Sequence, residues 1–160
     1  MCRATGELTL DYGAGVMTID APCAQGVNGF LARAGRVATK DLTIQSSNEY
    51  GAIVVVSLDG KPLASSTSML VQAMTEEQNF GYATTTTNVG AGVAANLITA
   101  IGYPPIVVRE INGMVRFTRP DAATLTVTAL DSNGYPVKHM GSADAIALEP
   151  ATLYYLISKK

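Results

Sequence analysis

The stretch Ala52–Thr75, AIVVVSLDGKPLASSTSMLVQAMT, decides the reading of this chain. Two apolar segments, Ile53–Leu58 and Ser68–Thr75, flank Asp59-Gly60-Lys61-Pro62. The pattern predicts two β-strands joined by a tight connection. Asp-Gly supplies the positive φ that a short turn needs, and Pro62 sets φ near −65° just beyond it. The run holds strand filler and turn chemistry, and no reactive group stands out in it.

Outward from this stretch the dominant period is two. Leu8, Leu10 and Tyr12 alternate with Glu7, Thr9 and Asp11, and Leu125, Val127 and Ala129 alternate with threonines. Val16–Ala21, Val37–Ser46, Pro105–Ile111, Met114–Arg119, Ala143–Glu149 and Thr152–Ser158 behave alike. Short strands separated by Gly, Pro, Asn and Asp predict an all-β fold, an antiparallel β-sandwich of jelly-roll or immunoglobulin-like kind. At most one or two short helices are expected, at Gln25–Ala34 and Gly92–Ile101. Asn112-Gly113 has the signature of a type I′ hairpin turn. That turn would place Arg109 opposite Arg116, a like-charge pair in need of a carboxylate or a different register.

The 160 residues fit one domain, read as a single unit over 1–160. With 48% hydrophobic and 15% charged residues, the composition is that of a packed globule. A net charge of −2 without clustered Lys or Arg argues against nucleic acid. No apolar run approaches the roughly 18–20 residues of a membrane helix, so no membrane partner is expected. Met1-Cys2-Arg3 leads into polar, strand-like sequence instead of the apolar core of a signal peptide. The start thus reads as that of a domain from a longer protein.

A hairpin of Leu8–Tyr12 with Val16–Ala21 around Gly13-Ala14-Gly15 puts Tyr12 opposite Val16. Cys2 then faces Gly26, three places and about 10 Å from Cys23, too far for a disulfide without a bulge.

Catalytic chemistry finds little support. Val89-Gly90-Ala91-Gly92-Val93-Ala94-Ala95 has the G-x-G-x-x-A spacing of a dinucleotide turn, with Glu110 downstream. The strand that should precede it is TTTTN, so the reading is a small-residue loop, and no cofactor is expected. His139 is the only histidine and reads as a surface residue. No G-x-S-x-G occurs, and one histidine with two separated cysteines makes no zinc cluster. Asp131-Ser132-Asn133-Gly134 resembles part of a calcium loop but lacks the later acidic ligands, leaving a plain turn. Neither catalytic residues nor a metal site are expected. Of the acids, adjacent Glu76 and Glu77 would point to opposite faces of a strand, and no pair is singled out for glycoside hydrolysis.

Sugar binding rests on exposed aromatic faces with polar neighbours. Tyr82, Tyr103 and Tyr135 sit beside glycine or proline in loops and are the candidate contacts, with Asn133 as a hydroxyl partner. Tyr12, Tyr154 and Tyr155 read as core or strand-packing residues.

Several segments together resemble the β-rich, non-catalytic region that follows the (β/α)8 barrel in some bacterial glycoside hydrolases, cellulase-like and β-galactosidase-like ones. They are Gly15–Pro22 with Gln25-Gly26, Val56–Leu63, Leu70–Thr75 and Ile101–Val108, spread over about two-thirds of the chain. Cys23 departs from the pattern. The resemblance implies a sandwich-like accessory domain, secreted with its parent enzyme, that binds polysaccharide or oligosaccharide or packs on the catalytic domain of the same polypeptide. It carries over no catalytic residue, so the chain itself is not expected to be an enzyme. A structural, adhesin-like sandwich with no small ligand is the alternative, and a contiguous exposed apolar patch would mark a packing role.

Overall fold

The structure, a computed structural model, describes residues 5–159. The chain begins with β1 (Leu8–Asp11), β2 (Val16–Ala21), β3 (Ala24–Gly29), the one-turn helix α1 (Leu31–Ala34), β4 (Arg36–Ala38) and β5 (Leu42–Ser46). β6 (Gly51–Ser57) and β7 (Ser68–Met74) follow, then β8 (Glu77–Phe80), β9 (Ala83–Asn88), β10 (Ala94–Ala100) and β11 (Tyr103–Val108). The remainder holds β12 (Gly113–Phe117), a 3-10 turn at Ala122–Thr124, β13 (Leu125–Leu130), β14 (Pro136–Ser142), β15 (Ile146–Leu148) and β16 (Tyr154–Lys159). These elements fall into two compact units, one of residues 76–109 and one of the described residues on either side.

The larger unit is the expected antiparallel sandwich. One sheet has the order β1-β2-β3-β6-β7-β16-β13-β14, the other β15-β12-β5-β4. Period-two patterning explains the core. Gln25, Val55, Val71, Tyr155 and Ala129 lie directly opposite one another across five strands of the large sheet, all buried. Ile146, Val115, Ile44 and Val37 form the matching row of the small sheet. The polar member, Gln25, is hydrogen-bonded at both ends: its amide donates to Asp41 Oδ2 at 2.6 Å and its carbonyl accepts from Thr39 Oγ1 and Asp41 N. A buried amide thereby ties β3 to the turn that enters β5.

The opening stretch forms β6 and β7 in the register Ala52↔Met74 to Ser57↔Met69. Their connection is longer than a tight turn. Asp59 organises it, accepting from Ser57 and Ser66 hydroxyls, from the Lys61 and Thr67 backbone, and from Thr67 Oγ1. These donors, the Thr67 N–H first and the Ser66 hydroxyl next, hold its carboxyl far below the usual carboxylate range. Leu63 at the loop's centre is fully buried. Arg119 bonds both Leu63 O (2.8 Å) and Ser66 O (2.7 Å) while forking onto Asp121.

Several local expectations are corrected. Gln25–Gly29 is strand, because Gln25 and Val27 alternate inward and Gly26 packs against β6 so closely that a Cβ would lie 2.5 Å from Ile53 O. Only Leu31–Ala34 of that segment is helical, and Gly92–Ile101 contributes β10 instead of a helix. The first hairpin pairs Asp11 with Val16, one residue off the expected register, since Asp11 closes a four-residue turn by accepting from Gly13, Ala14 and Gly15 N–H groups. Tyr12, at that turn, is 89% exposed and not a packing residue. Cys2 lies outside the described residues, and Cys23 is exposed.

Asn112-Gly113 is not a hairpin turn. Asn48 accepts from Asn112 N at 2.7 Å and donates to Glu110 O at 2.8 Å, while Ser46 Oγ donates to Asn112 O. This network seats β12 between β5 and β15. Arg116 then lies opposite Thr43, and Arg109 pairs with Glu76 at 3.1 Å, which removes the like-charge conflict.

Candidate functional site

Residues 76–109 form a two-stranded ribbon. β8 pairs with β11, β9 pairs with β10, and a bulge interrupts each ladder. The glycine motif lies at its tip: Asn88 accepts from Gly90 N, Val93 N donates to Gly90 O, and Gly90, Ala91 and Gly92 all have positive φ. A strand follows, so no helix N-terminus is presented to a phosphate. At the bend, Asn79 donates to Ile101 O at 3.1 Å, and Tyr103 meets Phe80 edge-to-face at 5.6 Å.

None of these residues is buried. Phe80, Val89, Val93, Leu97, Ile98, Ile101, Tyr103, Ile106 and Val108 are between 47% and 74% exposed. Residues 78–108 carry no charged side chain. Complete burial of one large apolar side chain is worth ~1.5–3 kcal/mol, so side chains at this exposure hold on the order of 10 kcal/mol of unrealised hydrophobic free energy. Isolated two-stranded ribbons are marginal in water. The charge-free run was the available signal in the sequence. Reading for strand period alone passed over it.

The expected sugar contacts divide between the units. Tyr82 is half-buried in the ribbon and lines a depression of about 530 Å³ with Glu76, Glu77, Gln78, Asn79, Ile101 and Ile106. Both glutamates border this one depression, because Glu76 precedes the strand. Tyr103 belongs to β11 in the same ribbon and is 60% exposed. Asn133 and Tyr135 belong to the sandwich, in the turn between β13 and β14, where Asp131 Oδ1 accepts from both backbone N–H groups at 2.9 Å. That turn is closed by hydrogen bonds within itself, in keeping with the plain-turn reading of Asp131–Gly134. Tyr135 is 69% exposed and Asn133 is exposed. His139 is exposed on β14.

A further concavity on the sandwich went unforeseen. On the outer face of the small sheet, Arg36, Thr43, Gln45, Met114 and Arg116 line a cleft of about 270 Å³. Strand pairing builds it: Arg36 is opposite Gln45, Gln45 opposite Met114, and Thr43 opposite Arg116. Inward neighbours Leu42, Ile44, Val115 and Phe117 are in the core, so alternation turns these five outward. Gln45 and Met114 also border an adjoining cleft of about 470 Å³ reaching Ser47, Asn112 and Ala32. Arg36 and Arg116 come together through pairings 70 residues apart in sequence, which period-two patterning does not reveal.

Among the described residues no cluster of His, Cys, Asp and Glu is arranged to hold a metal ion. No helix is long and apolar enough to cross a membrane. Compared with known proteins, the chain matches no family model, no curated protein sequence and no solved structure.

Proposed function

We propose that this chain is a non-catalytic accessory module of a secreted glycan-degrading enzyme, and that the ribbon of residues 76–109 packs on that enzyme's catalytic domain. One observation carries the reading: a ribbon whose residues 78–108 carry no charge and whose large apolar side chains are exposed. Exposed large apolar side chains gathered on one element mark interaction sites in soluble proteins. Its hydrophobic reserve of order 10 kcal/mol is comparable with the ~4–15 kcal/mol lost in translational and rotational freedom on association. Stable docking therefore suits a tethered partner, for which much of that loss is already met by the covalent link. The resemblance to the region following the barrel of glycoside hydrolases names the partner class.

The test is hydrogen exchange of residues 76–109 in the chain alone and in the chain covalently joined to its catalytic domain. Slower exchange is expected in the joined protein, and the slowing is expected to vanish in an Ile101→Asp/Ile106→Asp variant that keeps the sandwich's circular dichroism. Equal exchange in the two proteins overturns the packing role.

A second reading, direct glycan recognition, is favoured by the paired clefts on the small sheet, where amide and hydroxyl groups surround the apolar Met114. Tyr103 and Tyr82 on the ribbon offer ring faces for the same purpose. Retention on soluble and insoluble glycans tests it. A Tyr103→Ala variant retained as strongly as the parent removes the ribbon tyrosine from the contact set.

A further inference from the structure

The outer-face cleft of the small sheet has a chemistry that neither packing nor neutral sugar recognition requires. Arg36 and Arg116 are exposed and border one cavity, and no carboxylate lines it. Among the described residues neither arginine forms an ion pair, although Arg109 and Arg119 do. Arg116 Nε donates to the Met114 sulfur at 3.1 Å, a weak acceptor for a guanidinium. Each of these guanidinium groups, without a counter-charge beside Thr43 and Gln45, offers a planar fork of donors that carboxylate, sulfate or phosphate oxygens accept.

The surroundings narrow the ligand further. β5 and β12 are interior strands with both edges paired, so a peptide cannot add to them by main-chain hydrogen bonds. A ligand lying over these two strands meets their outward side chains. Beyond Gln45 and Met114 the adjoining cleft offers Ser47 and Asn112, neutral hydrogen-bonding residues suited to hydroxyls. We infer that this surface binds a saccharide bearing an oxyanion, with Arg36 and Arg116 on its carboxylate or sulfate group and Gln45, Ser47 and Asn112 on neighbouring hydroxyls. The inference rests on the glycan-recognition reading and names its substrate class.

Affinity electrophoresis and titration calorimetry of the full chain test it with four probes: polygalacturonate, a sulfated galactan, an uncharged β-glucan, and inorganic sulfate alone. The chain is expected to bind the first or the second polymer, and which one it binds separates a uronate from a sulfate ester. Arg36→Gln and Arg116→Gln should each weaken binding at least tenfold, and the double variant should abolish it, with unchanged thermal midpoints. Lys61→Gln, an equal charge loss in the β6–β7 loop, should leave binding intact. Gln45→Ala should weaken the polymer and spare inorganic sulfate. Equal weakening by Lys61→Gln overturns the site in favour of diffuse attraction. Binding of the uncharged glucan alone, indifferent to both arginines, overturns the oxyanion site and leaves glycan recognition standing. Failure to bind any of the three polymers overturns both.

Discussion

Replacing Arg119 by Met should loosen the loop that joins the two central strands. The Arg119 side chain is only 7% exposed, and Nη1 donates to the carbonyls of Leu63 and Ser66, both fully buried residues. Methionine fills a similar volume but donates nothing, so two buried acceptors lose their partner. Each such orphaned group costs about 1–3 kcal/mol, which puts the loss at roughly 2–6 kcal/mol. The ion pair with half-exposed Asp121 adds little in water. For a chain of this size 1 kcal/mol moves the melting midpoint by ~2–4 °C, so a decrease of about 4–24 °C is expected. Urea unfolding followed by circular dichroism should show a lower midpoint at constant slope, because the same surface is exposed on unfolding. Arg119→Lys, with a single ammonium in place of the fork, should fall between the two. A Met variant within about 1 kcal/mol of the parent, or a Lys variant indistinguishable from it, refutes the idea that this guanidinium holds the loop.

Three further outcomes follow from the same geometry. Asp59 and Asp121 have folded-state pKa values depressed, Asp59 chiefly by the Thr67 N–H and Asp121 by the Arg119 hydrogen bond. Their contribution to stability is complete above the unfolded carboxylate pKa of about 4 and drains away as pH falls through the folded values, so midpoints should drop on acidification below pH ~4. An Asp59→Asn variant, less stable at neutral pH, should show a shallower acid limb. Replacing Glu77–Val108 by Asn-Gly, between residues whose backbones already bond at 3.0 Å (Arg109 N to Glu76 O), should leave the sandwich folded. Shortening that connection should stabilise it by up to ~2 kcal/mol in chemical denaturation. An unfolded product would show that the sandwich needs the ribbon. Gly26→Ala should destabilise by ~1–3 kcal/mol, since the new methyl meets backbone atoms, Ile53 O at 2.5 Å and Val54 Cα at 2.8 Å, that have no rotamer to yield; an unchanged midpoint would mean that β3 and β6 can part.

Fold class was legible because alternation is a local property. Ile53 and Val55, Val71 and Ala73, Leu125 and Val127 carry their inward face in their own spacing, and the sheet follows wherever such segments pair. Pairing partners were not legible in the same way. Asn112-Gly113 has every local mark of a hairpin turn, yet the side chains of Ser46 and Asn48, more than 60 residues earlier, capture that backbone and send β12 to β5. The glycine segment connects two strands, as the polar run before it suggested, whereas its neighbours in Gly92–Ile101 became a strand because β9 supplied a partner.

The candidate sites divide along the same line. Tyr103 and Tyr135 are exposed as their Gly and Pro neighbours suggested, because such residues keep a tyrosine near a turn. Tyr12, placed among strand-packing residues by alternation, projects from a turn whose length Asp11 sets. By itself the sequence determined an all-β, sandwich-like fold and offered no recognisable catalytic set. Tertiary structure alone decided that residues 76–109 form a separate unit, a ribbon, and that Arg36 and Arg116 share a cleft. The physical reason is that hydrophobic period selects the face a side chain turns to, while the neighbours on that face depend on which distant strand completes the hydrogen-bond ladder.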